Sequence, residues 1–199
     1  MVTTEYQGKS HIGVAAAAIE GGASIIQYRE KSASSRTLLE TAGRLRELTA
    51  GAGVKLIIND RVDIALAVGA DGVHLGQDDM PLEVARHIMG DTYIIGISAT
   101  NLDEAIAAAK NGADYIGLGP IYPTPSKEDA APPIGLEGLS TVASAVSVPV
   151  VAIGGITIDN VEEVVMAGAD GIAVISAVAA KEDMVGTARL LRGIISNAK

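Results

Sequence analysis

The chain has 199 residues, enough for one domain with a large hydrophobic core, and no apolar run approaches the roughly 20 residues of a membrane span. Hydrophobic residues make up 48% of the chain but aromatic residues only 3%, so Ala, Val, Ile and Leu must form the core. The net charge of −9 argues against a general nucleic-acid binder, and the absence of cysteine excludes a disulfide framework and thiolate chemistry.

Short apolar segments alternate with helical segments along the chain. The predicted strands are Ser24–Arg29, Lys55–Asn59, Gly72–Leu75, Tyr93–Ile97, Tyr115–Leu118, Val148–Ile153 and Gly171–Ile175. The predicted helices are His11–Glu20, Ser35–Ala50, Val62–Val68, Leu82–Met89, Leu102–Asn111, Leu136–Ala145, Ile158–Ala167 and Met184–Asn197. Near-continuous apolar strands joined by helices indicate a parallel sheet that is buried on both faces.

Residue types with known preferences support several helix ends. Asn101 and Asp159 are predicted N-caps, and Pro81 is expected in the first turn of its helix. Four glycines stand where a helix should end: Gly21, Gly51, Gly112 and Gly168.

A related motif starts four of the strands. It reads G-G-A-S-I-I-Q at Gly21–Gln27, G-A-D-G-V-H-L-G at Gly69–Gly76, G-A-D-Y-I-G-L-G at Gly112–Gly119 and G-A-D-G-I-A-V-I-S at Gly168–Ser176. Seven strands and eight helices in this order nearly complete an α/β fold, the (β/α)₈ TIM barrel, as a single domain over residues 1–199. An open doubly wound sheet is the alternative, but a repeat without a topological break favours closure.

The first strand of such a barrel is the weak point of the pattern. Only Met1–Tyr6 precede the first helix, and Val2 is the one aliphatic residue there besides Met1. We expect a short or frayed first strand, and a mis-assigned start codon would account for the pattern equally well.

In a TIM barrel the active site lies where the strands run into the helices. Gln27, Arg29 and Lys31 are spaced by two, so in an extended segment they project to one face, while Ile26 and Tyr28 point toward the helices. An Arg and a Lys that converge in a barrel mouth suit phosphate groups. The alternative is that they form internal salt bridges with Glu30 or Asp60.

Two carboxylates follow neighbouring strands. Asp60 comes directly after Asn59 at one strand end, and Asp79 lies beyond the next strand. Such a pair suits Mg²⁺, which takes few protein ligands and completes its shell with phosphate and water. Alternatively, Asp60 pairs with Arg61 or caps the next helix, and Asp79 caps the helix that starts at Pro81.

Three further regions offer ligands for anions. Ser98 ends a strand, where a hydroxyl could contact a ligand oxygen or simply cap a helix. The Pro-rich loop 121–135 carries Thr124, Ser126 and Lys127, which would form an anion clamp or a solvated loop. Glycines after one strand and a helical turn after the next predict a backbone phosphate cradle, with tight helix–strand packing as the alternative. The cradle residues are Gly154, Gly155, Ile175 and Ser176.

The three histidines give no catalytic pattern. His74 alternates with Val73 and Leu75, which predicts a core histidine, and His11 and His87 fall on helices and are expected at the surface. Neither a His/Cys zinc spacing nor a Ser-His-Asp arrangement is present. From the residues alone, we expect a barrel enzyme with two anion-binding regions and a divalent metal.

These stretches resemble the thiamine phosphate synthase family from about Ile19 onward. The matching strings are Q-Y-R-E-K at Gln27–Lys31, I-I-N-D-R-V-D-I-A-L at Ile57–Leu66, G-A-D-G-V-H-L-G-Q-D-D at Gly69–Asp79, G-L-G-P-I-Y-P-T-P-S-K at Gly117–Lys127, A-I-G-G-I at Ala152–Ile156 and G-A-D-G-I-A-V-I-S-A at Gly168–Ala177. Members of the family usually have a full apolar first strand, from which this chain departs.

The resemblance implies a barrel enzyme that joins a pyrimidine diphosphate to a thiazole phosphate, or its carboxylated form, and releases pyrophosphate. It implies Mg²⁺ at Asp60 and Asp79, and catalytic roles for Arg29, Lys31, Ser98 and Lys127. The pyrimidine diphosphate would lie along the whole segment Gln27–Lys31, including Tyr28 and Glu30, and against Asn59, Ser98 and Lys127. The thiazole phosphate would contact Thr124, Pro125, Ser126, Gly155, Ile175 and Ser176.

The implied mechanism is dissociative, so that pyrophosphate leaves before the thiazole nitrogen adds. Two other functions stay open: a thiazole tautomerase of the same fold, which lacks much of the diphosphate and metal signature, and a barrel that only binds phosphorylated metabolites. We expect a cytoplasmic protein without nucleic-acid or membrane partners, and a homo-oligomer is compatible with the sequence.

Overall fold

The computed structural model describes residues 1–6, 8–124 and 131–198. Over these ranges the chain forms eight strands and nine helices. The strands are β1 Val2–Thr3, β2 Ile25–Tyr28, β3 Lys55–Asn59, β4 Gly72–Leu75, β5 Ile94–Ala99, β6 Tyr115–Leu118, β7 Val150–Ile153 and β8 Gly171–Ala173. The helices are α1 His11–Glu20, α2 Ser35–Ala52, α3 Val62–Ala67, α4 Leu82–Met89, α5 Leu102–Lys110, α6 Gly135–Ala145, α7 Val161–Met166, α8 Ser176–Ala179 and α9 Met184–Asn197.

The strands form one parallel sheet in the order β1 to β8, as expected for a (β/α)₈ barrel. The N–H of Val2 donates to Val174 O at 3.0 Å, which brings the two edges of the sheet together. The predicted TIM barrel is therefore confirmed, and the open doubly wound alternative is wrong. The first strand is short, as predicted.

The core consists of small and aliphatic side chains. Ile26, Leu56, Ile58 and Ile95 are buried at 2% exposure or less, and alanines such as Ala15 pack against them. In the described part of the chain, no helix is both long and apolar enough to cross a membrane.

Helix ends follow the predictions in part. The Asn101 side chain caps α5 by accepting from Glu104 N, as predicted. The predicted cap at Asp159 is wrong, because residues 157–160 form a turn and α7 begins only after Asn160. The predicted helix end at Gly51 is also wrong, because α2 continues to Ala52 and ends at Gly53, whose φ of 68° suits glycine.

The aspartate of each G-A-D motif ties two strand starts together. Each of the three carboxylates accepts the backbone N–H of a residue at the start of the preceding strand, across the amino-terminal end of the barrel. We call Asp71, Asp114 and Asp170 the strand-start aspartates. The bonds run from Leu56 N to Asp71 at 2.8 Å, from Ile95 N to Asp114 at 2.7 Å and from Val150 N to Asp170 at 2.9 Å.

Candidate active site

A cavity of about 760 Å³ opens at the carboxyl-terminal end of the strands. Its size falls in the usual range for small-molecule sites. The structure brings together twelve residues that the sequence predicted for substrate or metal. They are Gln27, Arg29, Lys31, Asn59, Asp60, Asp79, Ser98, Thr124, Gly154, Gly155, Ile175 and Ser176.

The end of β2 supplies two cations to this cavity. Lys31 Nζ lies 3.9 Å from Asp60 Oδ2, and the lysine side chain is 56% exposed, so the contact is a loose ion pair. Within the described ranges Arg29 forms no salt bridge, although it lies close enough to Asp60 to affect its charge. The alternative of internal salt bridges therefore explains part of the role of Lys31. It does not apply to Arg29, whose guanidinium is available to an anion.

Tyr28 and Glu30 are not among the described residues that line the cavity, so their contact with substrate stays a prediction that the cavity lining does not support. Tyr28 is 2% exposed, and its ring packs edge-on against His11, with 4.8 Å between ring centroids. Glu30 accepts hydrogen bonds from Ser32 and lies 3.5 Å from His11 Nε2. His11 is thus buried and not at the surface, and this cluster anchors the segment that presents Arg29 and Lys31.

The end of β3 places two consecutive side chains in the cavity. In an extended strand Asn59 and Asp60 would point to opposite faces. Asp60 instead has a φ of 62°, in the left-handed region that Asp tolerates better than most residues, and its N–H donates to His74 O at 2.8 Å. This local turn carries Asp60 to the same side as Asn59.

Asp60 and Asp79 meet across the ends of β3 and β4. Their side chains are in hydrogen-bonding contact, and burial together with the Asp79 carboxylate raises the pKa of Asp60 to about 6. Asp79 also accepts the Gly76 N–H at 2.6 Å. Asp60 does not pair with Arg61, because Arg61 pairs with Asp63. Asp79 does not cap α4, because the start of α4 has no side-chain cap.

Two adjacent carboxylates that oppose each other's ionisation fit a divalent cation. Among the described residues, no group of three or more His, Cys, Asp or Glu side chains could hold a metal. Asp60 and Asp79 would therefore bind Mg²⁺ only with water and a substrate phosphate in the remaining positions, which is the usual pattern for this ion.

The glycines after β7 combine close packing with a place in the cavity wall. Gly154 and Gly155 have φ of 96° and 66°. A Cβ on Gly154 would lie 2.5 Å from Pro120 Cβ, and one on Gly155 would lie 2.6 Å from Tyr122 Cβ. Tight packing, the alternative interpretation, therefore holds alongside the predicted position at the ligand cavity.

The end of β8 leads into α8. Ile175 and Ser176 line the cavity where this short helix begins. At its other end, Lys9 Nζ donates to the backbone oxygens of Ala179 and Lys181 at 2.9 and 2.6 Å. A lysine at this end satisfies carbonyl groups that lack helical partners and so holds the segment in place.

The start of the Pro-rich loop is fixed against β7. The N–H groups of Ile121 and Tyr122 donate to Ile153 O and Gly154 O at 3.0 and 3.1 Å. Thr124 follows this anchored stretch and lines the cavity. The predicted ligands Pro125, Ser126 and Lys127 lie outside the described residues.

Sequence reasoning missed two ring side chains in the cavity. His74 is 8% exposed, as predicted for a core residue, but it also lines the cavity, and its ring lies between Ser98 and Tyr115. Burial lowers the pKa of His74 to about 4 and raises that of Tyr115. One signal was available: Tyr115 stands where two other copies of the motif have glycine, at Gly72 and Gly171.

Comparison with known proteins then decides the family. The family model described as Thiamine monophosphate synthase matches residues 1–178. The chain belongs to this family. Members of the thiamine monophosphate synthase family act as transferases in thiamine biosynthesis, so this chain is an enzyme of that class.

Individual relatives match over nearly the whole chain. The thiamine-phosphate synthase of Chloroflexus aurantiacus is 57% identical over 190 residues, which cover 96% of this chain and 88% of that protein. The thiamine-phosphate synthase of Moorella thermoacetica is 48% identical over 200 residues, covering 100% and 95%. The solved thiamine phosphate pyrophosphorylase of Pyrococcus furiosus has a TM-score of 0.93 and 47% identity, covering 99% of this chain and 95% of that one.

Proposed function

We propose that this synthase joins an aminopyrimidine carrying a diphosphooxymethyl group to a thiazole phosphate and yields thiamine phosphate and pyrophosphate; with the carboxylated thiazole phosphate, CO₂ is released as well. The observation that supports the proposal is that two unlike groups of residues suited to anions line one cavity. One side offers Arg29 and Lys31 beside the Asp60–Asp79 pair, and the other offers the backbone around Gly155 and Ser176. Two different phosphorylated substrates would occupy them.

The charged side suits a diphosphate leaving group. The C–O bond to the pyrimidine methylene breaks, and pyrophosphate departs with the electron pair. Arg29 and Lys31 stabilise the negative charge that grows on the leaving oxygens, because fixed cations in a partly buried site need no reorganisation during the reaction. Mg²⁺ held by Asp60 and Asp79 would supply further positive charge to the same phosphates.

The second step needs no general base. The pyrimidine-methyl cation is stabilised by its own amino group, and the thiazole nitrogen adds through its lone pair without losing a proton. Within the described ranges, His74 is the histidine that lines the cavity, and it is engaged by two hydroxyls at a lowered pKa. The main task of the protein is therefore to hold the thiazole in line with the methylene carbon.

The phosphate of the thiazole substrate anchors that second molecule. Gly155, with its positive φ, and the turn into α8 line the cavity, where backbone N–H groups would bind the phosphate. Thr124 and the loop residues Pro125, Ser126 and Lys127 would complete the two phosphate sites from the opposite side.

The test is incubation of the purified protein with both substrates and Mg²⁺, with thiamine phosphate and pyrophosphate quantified by mass spectrometry. We expect both products in equal amounts, and none when either substrate is omitted. Isomerisation of a thiazole phosphate alone, without condensation, would establish a tautomerase instead. Tight binding of both substrates without product would establish a non-catalytic binding protein.

A further inference from the structure

Three polar side chains that line the cavity, Ser98, His74 and Tyr115, are joined by hydrogen bonds, and Gln27 lies close to the last of them. His74 Nδ1 lies 2.8 Å from Tyr115 Oη, and His74 Nε2 lies 2.9 Å from Ser98 Oγ. Burial raises the pKa of Tyr115, and the nearby Gln27 side chain opposes that rise. Gln27 and Ser98 are predicted substrate ligands, so His74 and Tyr115 lie between two ligands on different strands.

The barrel makes space for these two rings with two glycines: Gly96 on β5, the strand between β4 and β6, and Gly117 on β6. Gly96 is paired with Tyr115, and a Cβ on Gly96 would lie 2.1 Å from Tyr115 Cζ. A Cβ on Gly117 would lie 2.7 Å from His74 Cε1. Glycine at both positions therefore lets the histidine and tyrosine rings lie in van der Waals contact with the backbone, where any larger residue would overlap them.

A neutral histidine between two hydroxyls has two possible tautomers, which give the two hydrogen bonds opposite directions. It carries one N–H, so it donates to one hydroxyl and accepts from the other. Among the residues that the structure describes, its ring nitrogens contact hydroxyls and no carboxylate, and the side chain is buried. Because imidazole nitrogen accepts well from a phenol, Tyr115 donates to His74 Nδ1 and its own oxygen stays available to accept from the Gln27 amide.

We propose that His74 is a positioning residue whose Nε2–H donates to Ser98 Oγ and so turns the Ser98 O–H into the cavity. Ser98 then meets the ligand as a hydrogen-bond donor. In the reverse direction the serine hydrogen would point at His74, and only lone pairs would face the ligand. His74 therefore determines whether the Ser98 hydroxyl donates or accepts a hydrogen bond toward the ligand. It does so without contacting the substrate's reacting atoms.

The effect that we expect of His74 on substrate binding rests on the proposed function. A donor at Ser98 complements acceptor atoms of the pyrimidine diphosphate, either the ring nitrogens or the leaving oxygens. The thiazole phosphate lies on the other side of the cavity, near Ser176, so it should not depend on His74. A selective effect on one substrate separates positioning from a general loss of structure.

The first test measures the tautomer in the free protein by ¹⁵N-correlated NMR of the histidine side chains, with His74→Gln used to assign the resonance. We expect the proton on Nε2. A proton on Nδ1 would overturn the proposal, whatever the enzyme's activity. This readout needs no substrate, so it stays decisive if the proposed reaction is wrong.

The second test compares two substitutions that each keep one half of the imidazole. His74→Gln places an amide near the Nε2 position and keeps a donor to Ser98, whereas His74→Asn reaches only toward Tyr115. We expect His74→Asn to lower kcat/KM for the pyrimidine diphosphate about ten-fold, which is the effect of one lost hydrogen bond. His74→Gln should recover most of that loss, and KM for the thiazole phosphate should change little in either variant.

Two further measurements complete the test: a control substitution at another histidine, and a double-mutant cycle between His74 and Ser98. His87→Asn, at an exposed site on α4, should behave like the wild-type protein. In a double-mutant cycle, His74→Asn should have almost no effect once Ser98 is replaced by Ala. Full additivity, or equal losses for His74→Asn and His74→Gln at matched thermal stability, would refute positioning through Ser98. If the wild-type protein makes no product, calorimetric binding of the pyrimidine diphosphate replaces kcat/KM in the same cycle.

Discussion

The two ends of the barrel use the repeated motif in opposite ways. At the amino-terminal end, the strand-start aspartates make the same bond three times, each to a backbone N–H of the preceding strand. At the carboxyl-terminal end, the residues after the strands differ from copy to copy: Arg29 and Lys31 after β2, Asp79 after β4, Thr124 after β6 and Ser176 after β8. The comparison indicates that stability resides at the repeating end and chemistry at the varying end.

A physical reason underlies this division. Every strand start needs an acceptor for its first N–H groups, so one solution serves each repeat. The cavity at the other end must instead bind two unlike molecules, and each strand therefore contributes a different group. Substitutions should accordingly separate activity from stability according to the end at which they fall.

The largest loss of activity is expected from Arg29→Ala at the varying end. Removing a cation that stabilises the leaving group should lower turnover by roughly 10²-fold or more, while the free energy of unfolding stays close to that of the wild-type protein. Steady-state kinetics and urea unfolding measure both. Arg36→Ala, on the exposed face of α2, is the matched control. Turnover near the wild-type level in Arg29→Ala would remove this residue from the mechanism.

The carboxylate pair should control the metal requirement. Asp60→Ala or Asp79→Ala is expected to raise the Mg²⁺ concentration for half-maximal turnover about ten-fold or more, because each variant removes one of two protein ligands. Titration of turnover with Mg²⁺ is the measurement. Asp63→Ala, which removes an exposed carboxylate that pairs with Arg61 outside the cavity, should leave that titration unchanged. An unaltered metal dependence in both cavity variants would reject the assignment.

At the repeating end, Asp71→Ala should lower stability and spare turnover. The carboxylate binds Leu56 N, Arg46 and Lys55, and its loss should lower the free energy of unfolding by about 1–3 kcal/mol. Urea unfolding measures this, with the exposed Asp91→Ala as control. A large drop in kcat at temperatures where the variant is folded would contradict the division between the two ends.

The same aspartate predicts a pH dependence. Burial alone would raise the pKa of Asp71, but hydrogen bonds from Lys55, Leu56 N–H and Arg46 hold it below its usual value. Its contribution to stability is therefore present above the unfolded pKa of about 3.9 and is lost as the pH falls through the folded pKa. The acid limb of the stability profile should be shallower in Asp71→Ala than in the wild-type protein.

The smallest effect is expected from Ser176→Ala. The proposed cradle for the thiazole phosphate consists mostly of backbone, so loss of one hydroxyl should raise KM for this substrate by roughly three- to ten-fold. KM for the pyrimidine diphosphate should stay near its original value. Equal changes in both constants would argue against separate phosphate sites.

Most of the barrel and of the cavity lining could be predicted because both depend on local patterns. Apolar strands recur after each G-A-D motif, and residues just past strand ends converge at one end of any parallel barrel. That rule places Gln27, Asn59 and Ser98 in the cavity correctly. It does not cover Tyr28 and Glu30, which only the family resemblance added to the site; the spacing by two correctly turns Tyr28 away from the cavity.

The sequence by itself determined the strand–helix order, the aliphatic core and the set of residues that follow each strand, since these depend on periodicity and composition. Only the tertiary structure decided which of those residues interact. The left-handed turn at Asp60, the burial of His11 against Tyr28 and the contact of His74 with Ser98 all depend on strand register and helix packing. Such contacts join residues far apart in the chain, and no local pattern encodes them.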